Sequence, residues 1–474
     1  PTQWSAAIGT YTLKVWTSNI NGNADMNASN DTITKTIEIG PGIPNIIDDY
    51  VGVTPIITQI GNSSDQIATP SDLDFHPALS NKQLWVVNKG HSNNTSSGGS
   101  SMVIFDNAGE ASQTSVYKKD GNAKHFMNST TGIAFSKNGN WANSPGVYDA
   151  NFNGSVFTGP ALWSGDLNIF AITPPGGNGS HLDMLHESPY SQGIASESGN
   201  AFWVFDGNYN DIVRYDFVND HGPGNTYHDD GIVHRYRTQT VTKDPNNKVG
   251  SHLAISDGWV YVVDYGNQRI FRIQMGTGNL APGSPVPTQK ETLAEYKDVI
   301  NYTTEMVVTS GLVEPCGIDI VEDRMIVSDY STGEIIIYDI TIMPAVELDR
   351  LSTGAMGIMG IKIGPLGKIW YVDYDANTVN RIDGATVSVE EIVFNDVLSV
   401  YPNPAKNNFS INLKGVFNDN INVKVYDLTG KLIYNTVMKN NTLIVNTEKW
   451  TNGIYQVHLS NNTQFSTEKI VIQH

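Results

Sequence analysis

A single cysteine, Cys316, occurs in 474 residues, so no disulfide can form within the chain and stability has to come from packing and strand ladders. Basic residues are scarce as well. Twenty-nine lysines and arginines stand against 48 aspartates and glutamates, a formal charge of -19, and no basic stretch interrupts the deficit. Phosphate binding needs a clustered positive field, which argues against nucleic acid as a partner. No apolar run reaches the ~18 residues of a membrane-crossing helix, so no transmembrane segment is expected. The chain starts at Pro1 with neither an initiator methionine nor a signal-peptide pattern, and its numbering is expected to begin inside a longer or processed precursor. Nucleophile elbow, P-loop and dinucleotide fingerprints are all missing, so nothing in the sequence requires an enzyme. Charged residues make up only 16 %; Asn, Gly, Ser and Thr take their place, as in extracellular β proteins.

What is present is a repeat. Residues 254–273, AISDGWVYVVDYGNQRIFRI, read as two period-two strands around the turn Tyr265-Gly266-Asn267-Gln268. A short apolar strand precedes each such hairpin, at Ser71, Thr131, Gln192, Ser251, Cys316 and Met359. Copies recur roughly every 40 to 65 residues, the signature of a propeller array. A four-stranded blade cannot bury both faces alone, so the six copies predict an all-β fold with a six-bladed β-propeller over residues 68–390. Asn88, Asp166, Asp206, Asp264, Asp329 and Asp373 are read as closing the second strands. Each precedes a turn, where the side chain caps its own backbone. The copies VEPCGIDIVEDRMIVSDYSTGEIIIYDI and MGIKIGPLGKIWYVDYDANTVNRID resemble NHL repeats. That family includes protein, glycan and RNA binders as well as enzymes, so the resemblance implies a fold and no single activity.

Upstream, residues 9–17 and 32–39 alternate apolar and polar positions and predict a hairpin, and a two-stranded ribbon is marginal in water on its own. Residues 1–40 resemble the last strands of an immunoglobulin-like module of the CARDB kind. Asp25, Asn27, Asn30 and Asp31 in the intervening loop are candidate Ca²⁺ ligands or plain turn residues. Gly40 to Pro44 reads as a punctuated linker, and residues 41–67 comprise the rest of it and the stretch from Asn45 to Ile67, which is expected to supply an outer strand closing the last blade.

Three insertions suggest a binding rim. Residues 136–160 are assigned to the first-to-second connection of blade two, and residues 218–231 and about 275–290 to the third-to-fourth connections of blades three and four. Strand parity places all three on one face, where long loops tend to carry function. Trp141, Tyr148 and Phe152, with Phe157, and Trp163 at the following strand, are the candidate ligand-binding aromatics, suited to flat contact with an extracellular glycan or a protein. Asp220, His221, His228, Asp229 and Asp230 form the candidate metal cluster, for Zn²⁺ through imidazole or Ca²⁺ through carboxylate. The same residues match no established zinc spacing, and Asp-Asp-Gly is an ordinary turn.

The starts of the innermost strands, Asp72, Thr131, Gln192, His252, Cys316 and Met359, are expected to line the channel. Of these, only His252 and Asp72 suit metal binding or proton transfer. Peptidylglycine amidating lyases hold zinc with three histidines from such positions, and this chain offers one. The Glu-Gly-Pro start of gluconolactonase-like propellers is not found. A metal-dependent lyase or hydrolase using His252 and Asp72 is the alternative to a binding protein.

From residue 396 the composition shifts, and seven or so short strands predict a β-sandwich over residues 396–474. The order Tyr401-Pro402-Asn403-Pro404, Val425-Tyr426-Asp427 with Gly430-Lys431, Asn452-Gly453-Ile454-Tyr455 and Lys469-Ile470-Val471 resembles the C-terminal sorting domain of type IX secretion cargo. The resemblance implies the type IX secretion machinery as a partner. It also implies an extracellular or outer-membrane-surface location in a Gram-negative Bacteroidota bacterium. It does not imply an activity.

Overall fold

The computed structural model describes residues 9–16, 32–39, 42–285, 287–383, 398–413, 421–427, 431–460 and 465–474, and they are almost entirely β. The chain divides into two compact units, Pro1–Gly384 and Ala385–His474.

Within the first unit, the repeats form six sheets in chain order. Sheet one is built from Pro70–Phe75, Leu84–His91, Gly99–Asp106 and Thr114–Lys118, and sheet two from Thr130–Phe135, Asn140–Pro145, Ala161–Ser164 and Asp183–Met184. Ser191–Ser198, Ala201–Asp206, Asp211–Asp216 and Ile232–Tyr236 begin sheet three; Leu253–Ser256, Trp259–Asp264, Arg269–Gln274 and Thr304–Val308 make sheet four. Sheet five holds Pro315–Val321, Arg324–Asp329, Glu334–Asp339 and Val346–Ser352. Sheet six holds Ile358–Ile363, Ile369–Asp373 and Thr378–Asp383, and its fourth strand, Ile56–Gly61, comes from the start of the unit and pairs antiparallel with Thr378–Asp383. The last sheet is thereby joined to the segment that leads into the first.

Central strands are covered on both faces and therefore read as unbroken apolar runs. Leu84 to Val87 and Ile335 to Ile337 have no exposed surface. Six apolar clusters lie between consecutive sheets, from Trp85, Trp141 and Trp163 between sheets one and two to Phe75, Phe105 and Trp370 between sheets six and one. The order of packing is thus cyclic. The expected turn role of the strand-closing residues is visible in the bonds of some of them, whereas Asn88 and Asp264 accept from the amides of Ala68 and Thr242 on the preceding connection. Asp206 accepts from the Asn208 and Tyr209 amides, and Asp373 from those of Asp375 and Ala376. Asp166 accepts likewise from Asn168, but it follows the third strand of its sheet and not the second.

That displacement corrects the reading of sheet two. Its first-to-second connection is only residues 136–139, because Asn140–Pro145 is a central strand. The insertion, residues 146–160, lies between the second and third strands. The composition of Asn140–Pro145 looks like a loop, yet Asn143 and Ser144 are fully buried, and Asn143 is bonded inside: its Nδ2 donates to the Phe126 carbonyl at 3.0 Å, and its Oδ1 accepts from Trp163 Nε1 at 2.7 Å. The third-to-fourth assignment of residues 218–231 agrees with the strands on either side of them. By strand parity the sheet-two insertion therefore leaves the opposite face from the insertions of sheets three and four, and the three do not form one rim.

The sheet-four insertion runs back along its neighbour. Glu295–Ile300 pairs parallel with Ile232–Tyr236, and Asn279–Leu280 pairs with Glu295–Ile300, extending sheet three to six strands. An edge that would otherwise expose unpaired amides is covered.

Gly9–Trp16 and Thr32–Ile39 pair antiparallel as a separate two-stranded sheet, from Gly9 opposite Ile39 to Trp16 opposite Thr32. Asp25, Asn27, Asn30 and Asp31 lie outside the described residues.

Among the described residues of the second unit seven strands make two sheets, one of Leu398–Tyr401, Asn408–Leu413 and Thr442–Asn446, the other of Leu432–Met438, Ile421–Asp427, Gly453–Ser460 and Phe465–Ile472. Phe409, Ile411 and Val445 of one sheet and Val423, Val425, Val457 and Ile470 of the other share one buried core, which makes the unit a β-sandwich.

Candidate functional site

Two of the candidate ligand aromatics, Trp141 and Trp163, belong to the core. Trp141 and Trp163 sit opposite each other on neighbouring strands with ring centroids 5.6 Å apart and planes at 16°, and both are fully buried. Trp141 Nε1 donates to the Ser164 carbonyl at 3.1 Å. Neither ring can reach a ligand.

Tyr148 and Phe152 differ. They lie on the sheet-two insertion and line an open cleft of about 550 Å³ together with Ser92, Asp149, Tyr190 and Asn247. Asp149 shapes the insertion by accepting from the amides of Asn151, Asn153 and Gly154. Tyr148 is 38 % exposed, and its ring centroid is 5.8 Å from that of Tyr190. Second-to-third and fourth-to-first connections leave the sheets at one face, and on that face the tyrosines continue. Lys243 Nζ lies 4.9 Å from the Tyr190 ring centre, and Lys248 Nζ lies 4.8 and 5.3 Å from those of Tyr330 and Tyr374. Such placement is favourable because the ring face is electron-rich. Asp375 pairs with Lys248 at 3.0 Å and accepts from Tyr330 Oη at 2.7 Å; Tyr265 Oη donates to Glu314 at 3.0 Å. The sequence signal for this surface is the Asp-Tyr pair repeated at 264–265, 329–330 and 373–374. Tyr190, Lys243 and Lys248 carry no local signal.

Beneath this face the innermost strands meet. Asp72, Thr131, Gln192, His252, Cys316 and Met359 are all buried. Inner strands of neighbouring sheets are bridged by carboxylates: Asp72 accepts from the Ile133 amide, Asp74 from that of Phe135, and Asp319 from that of Ile363, at 2.9, 2.8 and 2.7 Å. Burial raises the Asp74 carboxyl to about 6, against the opposing charge of Lys362, whose Nζ lies 3.9 Å away. Burial likewise lowers the Lys89 ammonium to about 8; it donates to the carbonyls of Asn247 and Lys248 at 2.5 and 2.9 Å. His252 Nε2 bonds the Thr131 carbonyl at 3.1 Å, and Nδ1 lies 3.4 Å from Asp72 Oδ1 without a hydrogen bond between them. Burial pushes the Cys316 thiol far above its usual range.

The His and carboxylate cluster assembles around a residue that the sequence reading did not single out. Asp183, on the two-residue outer strand of sheet two, accepts from His228 Nδ1 at 2.6 Å, and its other oxygen lies 3.8 Å from His221 Nε2. His221 Nε2 is 2.8 Å from Asp230 Oδ1, while Asp230 Oδ2 accepts from Asn219. The His228–Asp183 pair raises the imidazole against its own desolvation. Asp220 and Asp229 are exposed, and Asp220 caps the Gly222 amide. Asp183, His221 and Asp230 are the group whose ligand atoms converge. Nearby, His186 pairs with Glu291 at 2.8 Å and stacks on Phe157 at 3.8 Å.

The sorting-motif residues come together at one edge of the sandwich. Asn403 donates to the Lys469 carbonyl at 2.7 Å and accepts from the Val471 amide at 2.9 Å; Tyr455 is buried and donates to the Thr451 carbonyl at 2.8 Å. Tyr401 is exposed, with Pro402 and Pro404 on either side of Asn403, and Gly453 opens its strand. Gly430 lies outside the described residues.

Comparison with known proteins assigns this second unit. Residues 399–473 match the family described as the secretion system C-terminal sorting domain. The chain is a cargo of the type IX secretion system, delivered to the cell surface or extracellular space in Bacteroidota. Among the described residues no helix is long and apolar enough to cross a membrane. No curated protein matches the chain. It is similar in structure to PorZ, a surface component of the type IX secretion system of Porphyromonas gingivalis, at 14 % identity and a TM-score of 0.32, covering 83 % of this chain and 58 % of that one. The chain therefore spans under two thirds of PorZ's length. It is also similar to an auxiliary nutrient binding protein from Bacteroides thetaiotaomicron (11 % identity, TM-score 0.42, covering 66 % and 68 %) and to a putative 6-phosphogluconolactonase from Bacteroides uniformis (10 %, 0.37, covering 92 % and 99 %).

Proposed function

We propose that the chain is a secreted or surface-displayed binding protein. In this reading residues 68–390 are a six-bladed β-propeller of the NHL kind, closed by the strand Ile56–Gly61, and residues 1–40 are part of a CARDB-like adhesion module. The ligand is an extracellular glycan held at the tyrosine-rich mouth. The observation that carries the reading is the cleft lined by Tyr148, Phe152, Tyr190 and Asn247, beside lysines already stacked on tyrosine rings. Sugar rings present C–H faces to aromatics and hydroxyls to amide and charged groups, and this surface offers both. The alternative, a metal-dependent lyase or hydrolase acting through His252 and Asp72, needs substrate to reach two side chains only 5 % and 3 % exposed.

The test is binding of the full chain to an array of extracellular and cell-wall glycans, followed by calorimetry on the hits. Tyr148→Ala and Tyr190→Ala should each remove about 1–3 kcal/mol of binding. Hits that are unaffected by both variants, or hits only among peptides, refute the assignment.

A further inference from the structure

We propose that Asp183, His221 and Asp230 bind one zinc-class divalent ion, which clips the loop of sheet three onto the outer strand of sheet two. Two independent observations support the site.

The first is the convergence of ligand atoms from two sheets. Asp183 belongs to sheet two, whereas His221 and Asp230 flank the Gly-Pro-Gly turn at 222–224 in the connection between the third and fourth strands of sheet three. A tetrahedral ion about 2.1 Å from each ligand spaces the ligand atoms roughly 3.4 Å apart. The His221 Nε2 separations of 2.8 Å to Asp230 Oδ1 and 3.8 Å to Asp183 Oδ2 bracket that value, and all three ligand atoms lie within 4.8 Å of one another.

The second is the state of Asp183 itself. Its side chain has no exposed surface, and Oδ2 takes no hydrogen bond. A buried carboxylate oxygen without a donor is costly, and native structures rarely leave one unused. This oxygen is directed at the His221 imidazole. The other oxygen is held at 2.6 Å by His228 Nδ1, the arrangement in which a neighbouring hydrogen bond orients a metal-ligating group. Asn219 does the same for Asp230, donating to the oxygen that the ion would not use. His221 and Asp230 keep 14 % and 21 % side-chain exposure, which leaves a route for the ion from solvent.

One imidazole nitrogen with two carboxylate oxygens suits zinc better than calcium, which takes six to eight oxygens. The mechanical consequence follows from the fold. The outer strand of sheet two has two residues, and the loop meets the segment before it through two backbone hydrogen bonds, Gly224 N–H to the His181 carbonyl at 2.8 Å and Asn178 N–H to the Gly224 carbonyl at 3.2 Å; a coordinated ion adds a side-chain joint between the two sheets there.

The experiment uses the full chain, stripped with chelator and titrated with Zn²⁺ against a chromophoric competitor, with metal counted by mass spectrometry. One Zn²⁺ per chain is expected, together with protection of residues 217–231 from proteolysis on metal addition. His221→Ala and Asp230→Asn should each weaken affinity at least 100-fold, and His228→Gln roughly 10- to 100-fold. Asp183→Asn tests the buried ligand, but it can fail to fold. His221→Ala, at a part-exposed loop position and checked for an unchanged circular dichroism spectrum, decides the matter. Zinc binding that survives both His221→Ala and Asp230→Asn, a stoichiometry other than one, or calcium preferred over zinc at these residues each overturns the proposal.

Discussion

His252 Nδ1 lies 3.4 Å from Asp72 Oδ1, so a residue leading into the first strand of sheet four meets one on the first strand of sheet one. Only convergence of the innermost strands brings these positions together. The pair ties sheets that share no backbone ladder. His252→Ala removes this contact together with the imidazole partner of the Thr131 carbonyl and should lower stability by about 1–3 kcal/mol, read from urea denaturation, with glycan binding unchanged. Loss of an enzymatic turnover in this variant, with retention in Tyr148→Ala, would transfer the function to the channel.

Arg235 is fully buried on the fourth strand of sheet three. Its guanidinium bonds Asp211 at 2.8 and 2.9 Å, Asp206 at 3.1 Å and the Tyr296 hydroxyl at 2.9 Å. Arg235→Ala strands two buried carboxylates and should cost about 3–5 kcal/mol. Equilibrium unfolding of the variant checks this, and a change below ~1 kcal/mol would mean that water reaches the site.

Tyr50 tests the closing segment. It is fully buried in the apolar cluster between sheets five and six, and its hydroxyl donates to the Ile382 carbonyl at 3.2 Å. Tyr50→Ala should cost about 3–5 kcal/mol through the cavity it leaves, and Tyr50→Phe only about 0.5–1.5 kcal/mol. Similar losses in both would place the energy in the hydroxyl and not in the packing.

The His125 imidazole is held neutral by burial and by the neighbouring His186, which lower it from 6.5 to about 4. Below pH 6.5 the unfolded chain takes up a proton that the folded chain refuses. The contribution of His125 is therefore fully present above pH 6.5 and is lost as the pH falls through about 4. Buried carboxyls such as Asp74, raised to about 6, act with the opposite sign in the same window. The measurement is thus the difference between wild type and His125→Gln in urea midpoint from pH 7 to 4. The variant should be relatively more stable at the acid end, and parallel profiles would contradict the assignment.

Deleting residues 399–474 should abolish delivery to the surface and leave the melting of the first unit unchanged, because among the described residues the sandwich core is built from its own strands. Fractionation of cells expressing the truncated chain checks the first outcome and calorimetry the second. Normal secretion of the truncated chain would contradict the sorting role.

What the amino-acid sequence determined by itself is whatever rests on short-range physics. Period-two alternation marked the hairpin strands at 259–273, 325–340 and 369–383. Asp373 was readable as a turn cap because its partners are the next backbone amides, those of Asp375 and Ala376, and Asp329 in part through that of Thr332; Asp264 instead accepts from the Asn267 side chain and the Thr242 amide, and Asp329 also from the amides of Val313 and Glu314, partners that only the fold supplies. The sorting motifs were readable because their order alone is diagnostic. Tertiary structure decided the rest. Asn140–Pro145 became a central strand because Asn143 finds buried partners on other segments, and no local pattern reports that. Trp141 and Trp163, read as surface aromatics, went inside because sheet two stacks them on each other and against sheet one. Asp183 joins His221 and Asp230 only after two sheets are packed side by side, and Tyr190 reaches Tyr148 and Lys243 only where loops of different repeats share a face. Partners so distant in sequence are chosen by how sheets pack, and that choice is made by the whole set of core side chains and not by any one stretch.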